Sequence, residues 1–346
     1  MKSDIFDFAV VGQGISGTLI SYFLAKAGKN VLVIDNNYIG SSSKVAAGIV
    51  NPITGKKFIK SWRIHEFLPE AKIIYDELSD YLGIRTYTES NMIRSLYSVE
   101  DENIWLSRTG DPEVKHYMLP VADTEEFGDI VSKPFAYGEL TGTLQVHLSD
   151  ILEAFKLKWQ RQDQYIIDKF DYNCLIEQSG SFSYKDLFFR EIIFCEGYQA
   201  QCNPYFENIG LAPSKGEVLL VRIPGACFKK MYKDHIFIVH QYDDVYWVGS
   251  GYEWNSNDDL PTDKIYHKLK AELERVLKVP FEILEHKAAI RPTMHARRPI
   301  FKPHPTLRGM YIFNGLGTKG SSIGPFAAKQ FARYILEKNP EDLILL

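Results

Sequence analysis

The sequence predicts an α/β fold joined to a predominantly antiparallel second sheet. Three observations predict it. Gly12, Gly14 and Gly17 form a G-x-G-x-x-G between an apolar run, Phe8 to Val11, and a stretch of helical spacing, Ile15 to Ala27. The middle of the chain carries apolar runs of strand type separated by short turns. Near the C-terminus a strand, a glycine-rich turn and a helix return. Strand–helix units at both ends, with antiparallel strands between them, imply a discontinuous Rossmann-like layer that carries the second sheet.

The first unit has a mechanism. Gly12 permits the tight turn, Gly14 lets the backbone approach a pyrophosphate, and Gly17 lets helix and strand pack closely. The helix then offers unpaired N–H groups and the positive end of its dipole to the phosphates. Val31 to Ile34 is the second strand. It ends at Asp35, 23 residues beyond Gly12, where an acid can bond ribose hydroxyls and disfavours a 2′-phosphate, which argues against NADP. Gly40 to Gly55 is rich in Ser, Ala and Gly and reads as a loop approached closely by a ligand.

Helical spacing follows from Ile64 to Leu82. A polar, irregular region runs to about Gly142, with a short alternating run at Met92 to Val99, and Val146 to Gln160 is helical again. Ile166 to Tyr172 and Leu175 to Gln178 are strand pieces, Gln178 to Ser181 is a turn, and Glu191 to Gly197 is a buried strand ending in glycine. Glu217 to Ile223, His235 to Tyr242 and Val245 to Tyr252 read as antiparallel strands, with Asp243-Asp244 at a hairpin tip. Ile265 to Leu277 is a helix, Met310 to Gly315 a strand, and Pro325 to Glu337 the last helix. The loop before that helix holds Gly315, Gly317, Gly320 and Gly324. It has two readings: a second helix N-terminus aimed at the cofactor, with Lys319 adding positive charge, or a tight turn that needs glycine for its geometry alone.

The 346 residues suffice for two lobes. A net charge of -4 and a pI near 6.2 argue against a general nucleic-acid or membrane-surface binder. Cys174, Cys195, Cys202 and Cys227 are scattered without a C-x-x-C, which suits a reducing compartment, and neither they nor the histidines show metal spacing. No secretory signal precedes the first strand, and no apolar stretch approaches the ~20 residues of a membrane span. These features give a cytoplasmic expectation.

Six blocks carry a resemblance over nearly the whole length. They are the glycine fingerprint with Asp35, Ser41 to Pro52, Ile192 to Ala200, Tyr246 to Glu253, Ala288 to Phe301 and the closing glycine loop. In that order they resemble the FAD-dependent D-amino-acid oxidase superfamily, which includes glycine and sarcosine oxidases. Within it, Ala46 to Pro52 and Gly315 to Pro325 look most like the FAD oxidase domain of a bifunctional enzyme that modifies the tRNA wobble uridine. The resemblance implies a glutathione-reductase-type FAD-binding domain over residues 1–85, 144–212 and 288–346. It implies a substrate domain on an antiparallel sheet over 86–143 and 213–287.

It further implies non-covalent FAD held by Gly12, Gly14, Ile15, Ser16, Gly17, Asp35, Asn36, Ser42, Ser43, Ala46, Ala47, Gly48, Ile49, Phe170, Glu196, Gly197, Arg291, Gly317, Thr318, Lys319, Gly320 and Ser321. Arg291 would bind a substrate carboxylate through its planar fork, with Tyr252, Phe237 and Lys319 beside the substrate. From the residues alone, Arg291 has a lesser alternative in a surface ion pair, and Tyr252 and Phe237 could equally be plain core. His295 stands where many relatives have Asp, and Lys319 where the tRNA-modifying relative has Arg.

The implied reaction is oxidation of the C–N bond of a small carboxylated amine by hydride transfer to flavin N5, then imine hydrolysis. It requires no acid–base side chain, and no catalytic residue is nominated. A second reading is the carboxymethylaminomethyl group of tRNA wobble uridine. It calls for a basic track, for which Lys56, Lys57, Lys60, Arg63, Arg297, Arg298 and Lys302 are candidates. A third is an FAD-binding protein with a non-catalytic role.

Overall fold

The computed structural model describes residues 5–178, 180–254 and 258–343. Its first layer is a sheet whose centre is parallel, in the order Tyr165–Ile167, Val31–Asp35, Phe6–Val11, Leu187–Phe194, Met310–Asn314. Continuous apolar runs such as Phe8 to Val11 belong there because a parallel strand is covered on both faces; Ala9, Val10, Leu32, Val33, Ile192 and Ile193 are all fully buried. On one face Ile15–Lys26 packs against Gly320–Glu337, and Ile64–Leu82 packs on the latter. Their contacts with the sheet run through Leu19, Phe67, Ala327 and Phe331. The other face is covered by the antiparallel hairpin Leu175–Gln178 and Ser181–Tyr184, and by Phe206.

The second sheet has the order Glu282–Arg291, Ser214–Arg222, Val245–Trp254, Phe237–Tyr242, Met231–Lys233, Met92–Leu96, Ala136–Leu140, Met118–Leu119. All its pairs are antiparallel except Met231–Lys233 with Met92–Leu96. Period-two alternation gives it two distinct faces. Leu219, Val221, Ile238 and Val248 turn outward onto the helix Asp263–Val276. Val218, Val239, Trp247 and Met231 turn inward, onto the segment around Val45, Ala47 and Phe58.

Several elements depart from the sequence expectation. The last helix starts at Gly320, not Pro325. A proline inside a helix leaves the carbonyl four residues back without a donor; here the Tyr75 hydroxyl donates to the Ser321 carbonyl at 2.9 Å and fills that vacancy. The small-residue loop contains a short helix, Ser42–Val45, and two-residue strands at Ile49–Val50 and Ile53–Thr54. The helix expected from Val146 begins at Leu148, because Leu144–Val146 is a strand paired with Ile49–Val50 and Tyr87–Glu89. The region expected to be irregular holds a helix, Val99–Thr109, capped by the Ser98 side chain. It buries only Trp105, so its apolar stripe is too thin to read. Of Ile166 to Tyr172 only Ile166 and Ile167 are strand, within Tyr165–Ile167; Asp171 then caps a 3-10 turn over Tyr172–Cys174. The turn expected over 178–181 contains residue 179, which lies outside the described residues. Glu282–Arg291 is one continuous strand of the second sheet and crosses the boundary expected at residue 288.

Candidate active site

Between the two sheets runs one elongated cavity of about 710 Å³. Two helices begin on its wall, and neither N-cap residue, Gly14 or Lys319, caps its helix with a side chain. Gly14, Ile15 and Ser16 form the start of the first; Thr318, Lys319, Gly320 and Ser321 form the start of the second. First turns without such a cap leave N–H donors and a positive dipole end facing the space, so the cavity attracts negative charge at two places.

The glycine fingerprint works as the spacing implies, with one division of labour. Gly12 has φ +96°, and a Cβ there would lie 2.6 Å from the Cys195 carbonyl oxygen. On Gly17 a Cβ would lie 1.9 Å from the Gly12 carbonyl oxygen. Gly17 therefore serves the close packing of helix on strand and does not border the cavity, although the resemblance places it among the cofactor contacts. Every other residue expected at the cofactor or the substrate borders it. Asp35 is held by the Gln13 N–H at 2.7 Å, the Asn37 N–H at 2.7 Å and the Tyr165 hydroxyl at 3.1 Å. Ser43 Oγ accepts from the Ile15 N–H at 3.0 Å, tying the small-residue segment to the first helix.

Glu196 lies against the same turn: a Cβ on Gly12 would come within 3.3 Å of its Cα. The Tyr172 hydroxyl donates to its carboxylate at 2.5 Å and the Asn203 amide at 2.7 Å. Burial pushes its pKa up to about 7, against the pull of those two donors. A group raised in this way holds its proton below that value and becomes anionic above it. A dianionic ligand on the glycine turn then meets an added like charge. FAD affinity of the apoprotein should accordingly fall severalfold from about pH 6 to about pH 8. Glu196→Gln should flatten the dependence, as read by fluorescence titration; an unchanged slope in the variant would separate Glu196 from the effect.

At the opposite end, Arg291 lies flat on the strand Ser214–Arg222. A Cβ on Gly216 would be 2.0 Å from Arg291 Nη2, so only glycine leaves room for the guanidinium. The Tyr252 ring covers it, with the guanidinium carbon 4.4 Å from the ring centroid, and Nη1 donates to the Lys215 carbonyl at 3.4 Å. Among the described residues no carboxylate lies within ion-pair distance of Arg291. The surface ion pair that the sequence left open is not what the structure shows. Burial pushes the Arg291 pKa down, and Tyr252 partly opposes that shift. Lys319 is likewise lowered, by burial first and by Arg298 second.

Phe237 and Trp247 form the apolar wall between these ends. The Trp247 indole N–H donates to the Val45 carbonyl at 2.8 Å and ties the second sheet to the short helix Ser42–Val45. Sequence reasoning missed Trp247, Gly216 and Lys44, all of which border the cavity. Strand alternation placed Trp247 on one face of a strand, but no sequence signal says which face meets the ligand. Lys44 stood unremarked between Ser43 and Ala46; its ammonium donates to Asn37 Oδ1 at 2.9 Å, and burial lowers its pKa. Among the described residues no histidine borders the cavity; the ring of His240, on the strand Phe237–Tyr242, contacts Lys229 Nζ at 2.8 Å.

Comparison with known proteins agrees with this geometry. Residues 7–334 match the family described as FAD dependent oxidoreductase. A glycine oxidase of Bacillus licheniformis is 23% identical, over 96% of this chain and 93% of its own length. The crystal structure of glycine oxidase from Bacillus cereus ATCC 14579 superposes with a TM-score of 0.79 at 18% identity, covering 98% of this chain and 97% of that one. Iminodiacetate oxidase from Chelativorans sp. BNC1 superposes with a TM-score of 0.77 at 21% identity, covering 95% of each chain. At these identities the superpositions establish a common fold. Among the described residues no helix is long and apolar enough to cross a membrane.

Proposed function

Because this chain belongs to the D-amino-acid-oxidase-type family of FAD-dependent oxidoreductases, we propose that it oxidises the C–N bond of a small amine bearing a carboxylate. The observation that carries this reading is Arg291: a half-buried cation on the cavity wall, clamped between Gly216 and Tyr252 and lacking an acidic partner among the described residues. Burying such a charge is unfavourable unless a ligand supplies the counter-charge. A planar guanidinium facing open space is suited to a carboxylate.

The residues present fit FAD. The glycine turn leaves the backbone bare where a pyrophosphate would lie, Asp35 is oriented for a ribose, and the second uncapped helix start with Lys319 suits the electron-rich edge of a flavin. FAD, when bound, supplies an acceptor for two electrons and the hydrogen of the amine's α-carbon. The protein's part is positioning. Arg291 anchors the carboxylate and so fixes where the α-carbon lies. Phe237 and Trp247 keep that region apolar, which favours the neutral amine that can be oxidised. The imine released from the site hydrolyses in water. The four cysteines are all free thiols, which supports a cytoplasmic setting for this chemistry. The tRNA reading has less behind it, since Lys60 pairs with Glu113 and Arg63 with Glu66.

Anaerobic mixing of the purified flavoprotein with glycine, sarcosine, proline and D-amino acids tests the proposal. Bleaching of the flavin band by at least one of them is expected. A flavin that stays oxidised with all of them, and with N-alkylglycines, would overturn it.

A further inference from the structure

We propose that the cavity accepts an amine carrying a second anionic group, which Arg94 and Lys233 hold at the edge remote from Arg291. This names a narrower substrate class and rests on the amine reading above. Lys233 stands in register with Phe237 on one side and Arg94 on the other. Residues in register point to the same face of a sheet, and Phe237 borders the cavity. The inner face of the second sheet therefore passes from an apolar wall to two adjacent cations.

Both cations are held in place by apolar and neutral contacts. Lys233 Nζ lies 4.1 Å from the centroid of the Phe237 ring and donates to the His235 carbonyl at 3.2 Å. The Arg94 guanidinium stacks 4.7 Å from the centroid of Phe58 and donates to the Gly55 carbonyl at 2.8 Å, next to Thr54 on the cavity wall. Among the described residues neither has a carboxylate within ion-pair distance. The acids whose charges act on them are engaged elsewhere: Asp234 and Glu272 both pair with Arg275, and Asp101 accepts the Tyr97 N–H at 3.0 Å. On the same sheet Lys230 and Arg222 each have acidic partners, so the unpaired state of this couple is a local property. Burial lowers both groups, and the neighbouring Arg94 helps push Lys233 down to about 8. A bound anion would offset that cost.

The register also gives the spacing. Gly216, on which Arg291 lies, pairs with Tyr252, while Phe237 pairs with Gly249, opposite Val218. Lys233 lies one strand beyond, opposite Phe237, so it stands three strands and about two residues from Gly216, roughly 16 Å at the usual sheet spacings. One small acid cannot reach both ends. A chain with an acid at each end, an N-substituted glycine with a carboxylate on its substituent, can.

The test uses the FAD-loaded protein and two matched pairs of amines: N-(carboxyethyl)glycine with N-propylglycine, and N-(carboxybutyl)glycine with N-pentylglycine. In at least one pair the acid-tailed member should have a kcat/KM about tenfold higher, through KM. Lys233→Met and Arg94→Met should each bring that ratio close to one, whereas Lys278→Met, an exposed lysine elsewhere, should leave it intact. Equal values within both pairs, or an equal loss in Lys278→Met, would overturn the proposal. Should no amine reduce the flavin, the amine reading falls, and binding decides the anion site separately. Suberate should then perturb the oxidised flavin spectrum at about tenfold lower concentration than heptanoate, and Lys233→Met should remove the difference; equal affinities would overturn the site.

Discussion

Gly14→Val protein is expected to fold, yet to purify without the flavin absorption band. Gly14 precedes the first helix with φ -81° and ψ -170°, a conformation open to any residue. The backbone thus gains no strain from a side chain. What changes is the cavity. The added Cβ would come within 3.2 Å of Ser43 Oγ, which is already bonded to the Ile15 N–H. The valine methyl groups would stand in front of the first-turn N–H donors. Loss of those contacts and of the space itself should weaken FAD binding by at least about 100-fold, measured by titrating apoprotein with FAD. Gly17→Ala separates the two roles within the same motif. Its Cβ would lie 1.9 Å from a backbone oxygen, so the damage should appear as a lowered Tm and poor yield rather than as a colourless, stable protein. A yellow Gly14→Val enzyme with normal FAD affinity would detach the cavity's glycine turn from the cofactor.

Arg291→Ala should raise KM for a carboxylated amine by about 10²- to 10³-fold, the range for removing one partner of a buried charge pair. FAD should stay bound, because the glycine turn and Asp35 lie at the other end of the cavity. Arg291→Lys should recover only part of the loss: an ammonium keeps the charge but not the planar fork that Gly216 and Tyr252 clamp. Steady-state kinetics with sarcosine, or whichever amine bleaches the flavin, would show it. An unchanged KM would remove Arg291 from the substrate site.

Local chemistry explains what could be read early. The G-x-G-x-x-G sits between a fully buried strand and a helix, so each glycine's task follows from its spacing. Asp35 ends a strand at the distance the motif requires. The closing glycines had two readings, and the structure favours a helix start on the cavity wall. Its extent differs because a proline suits a helix's first turn, which set the expected start at Pro325, whereas Pro325 stands inside the helix, where the hydroxyl of Tyr75, 246 residues away from Ser321 in sequence, supplies the donor that the Ser321 carbonyl lacks. Val99–Thr109 escaped notice because one buried tryptophan makes no periodic stripe.

The sequence by itself determined the nucleotide-binding turn, the strand–helix frame around it and the antiparallel character of the middle segments, and the resemblance singled out Arg291 as the carboxylate receptor to test. These depend on contacts between residues close in the chain, or on blocks whose order survives without coordinates. Only the tertiary structure decided which face of the second sheet meets the cavity, that Gly216 makes room for Arg291, that Gly17 packs while Gly14 lines, and that Arg94 and Lys233 stand side by side with no acid in ion-pair distance among the described residues. Each of those is a matter of register between strands far apart in sequence, and a shift of one residue would have turned every side chain to the other face.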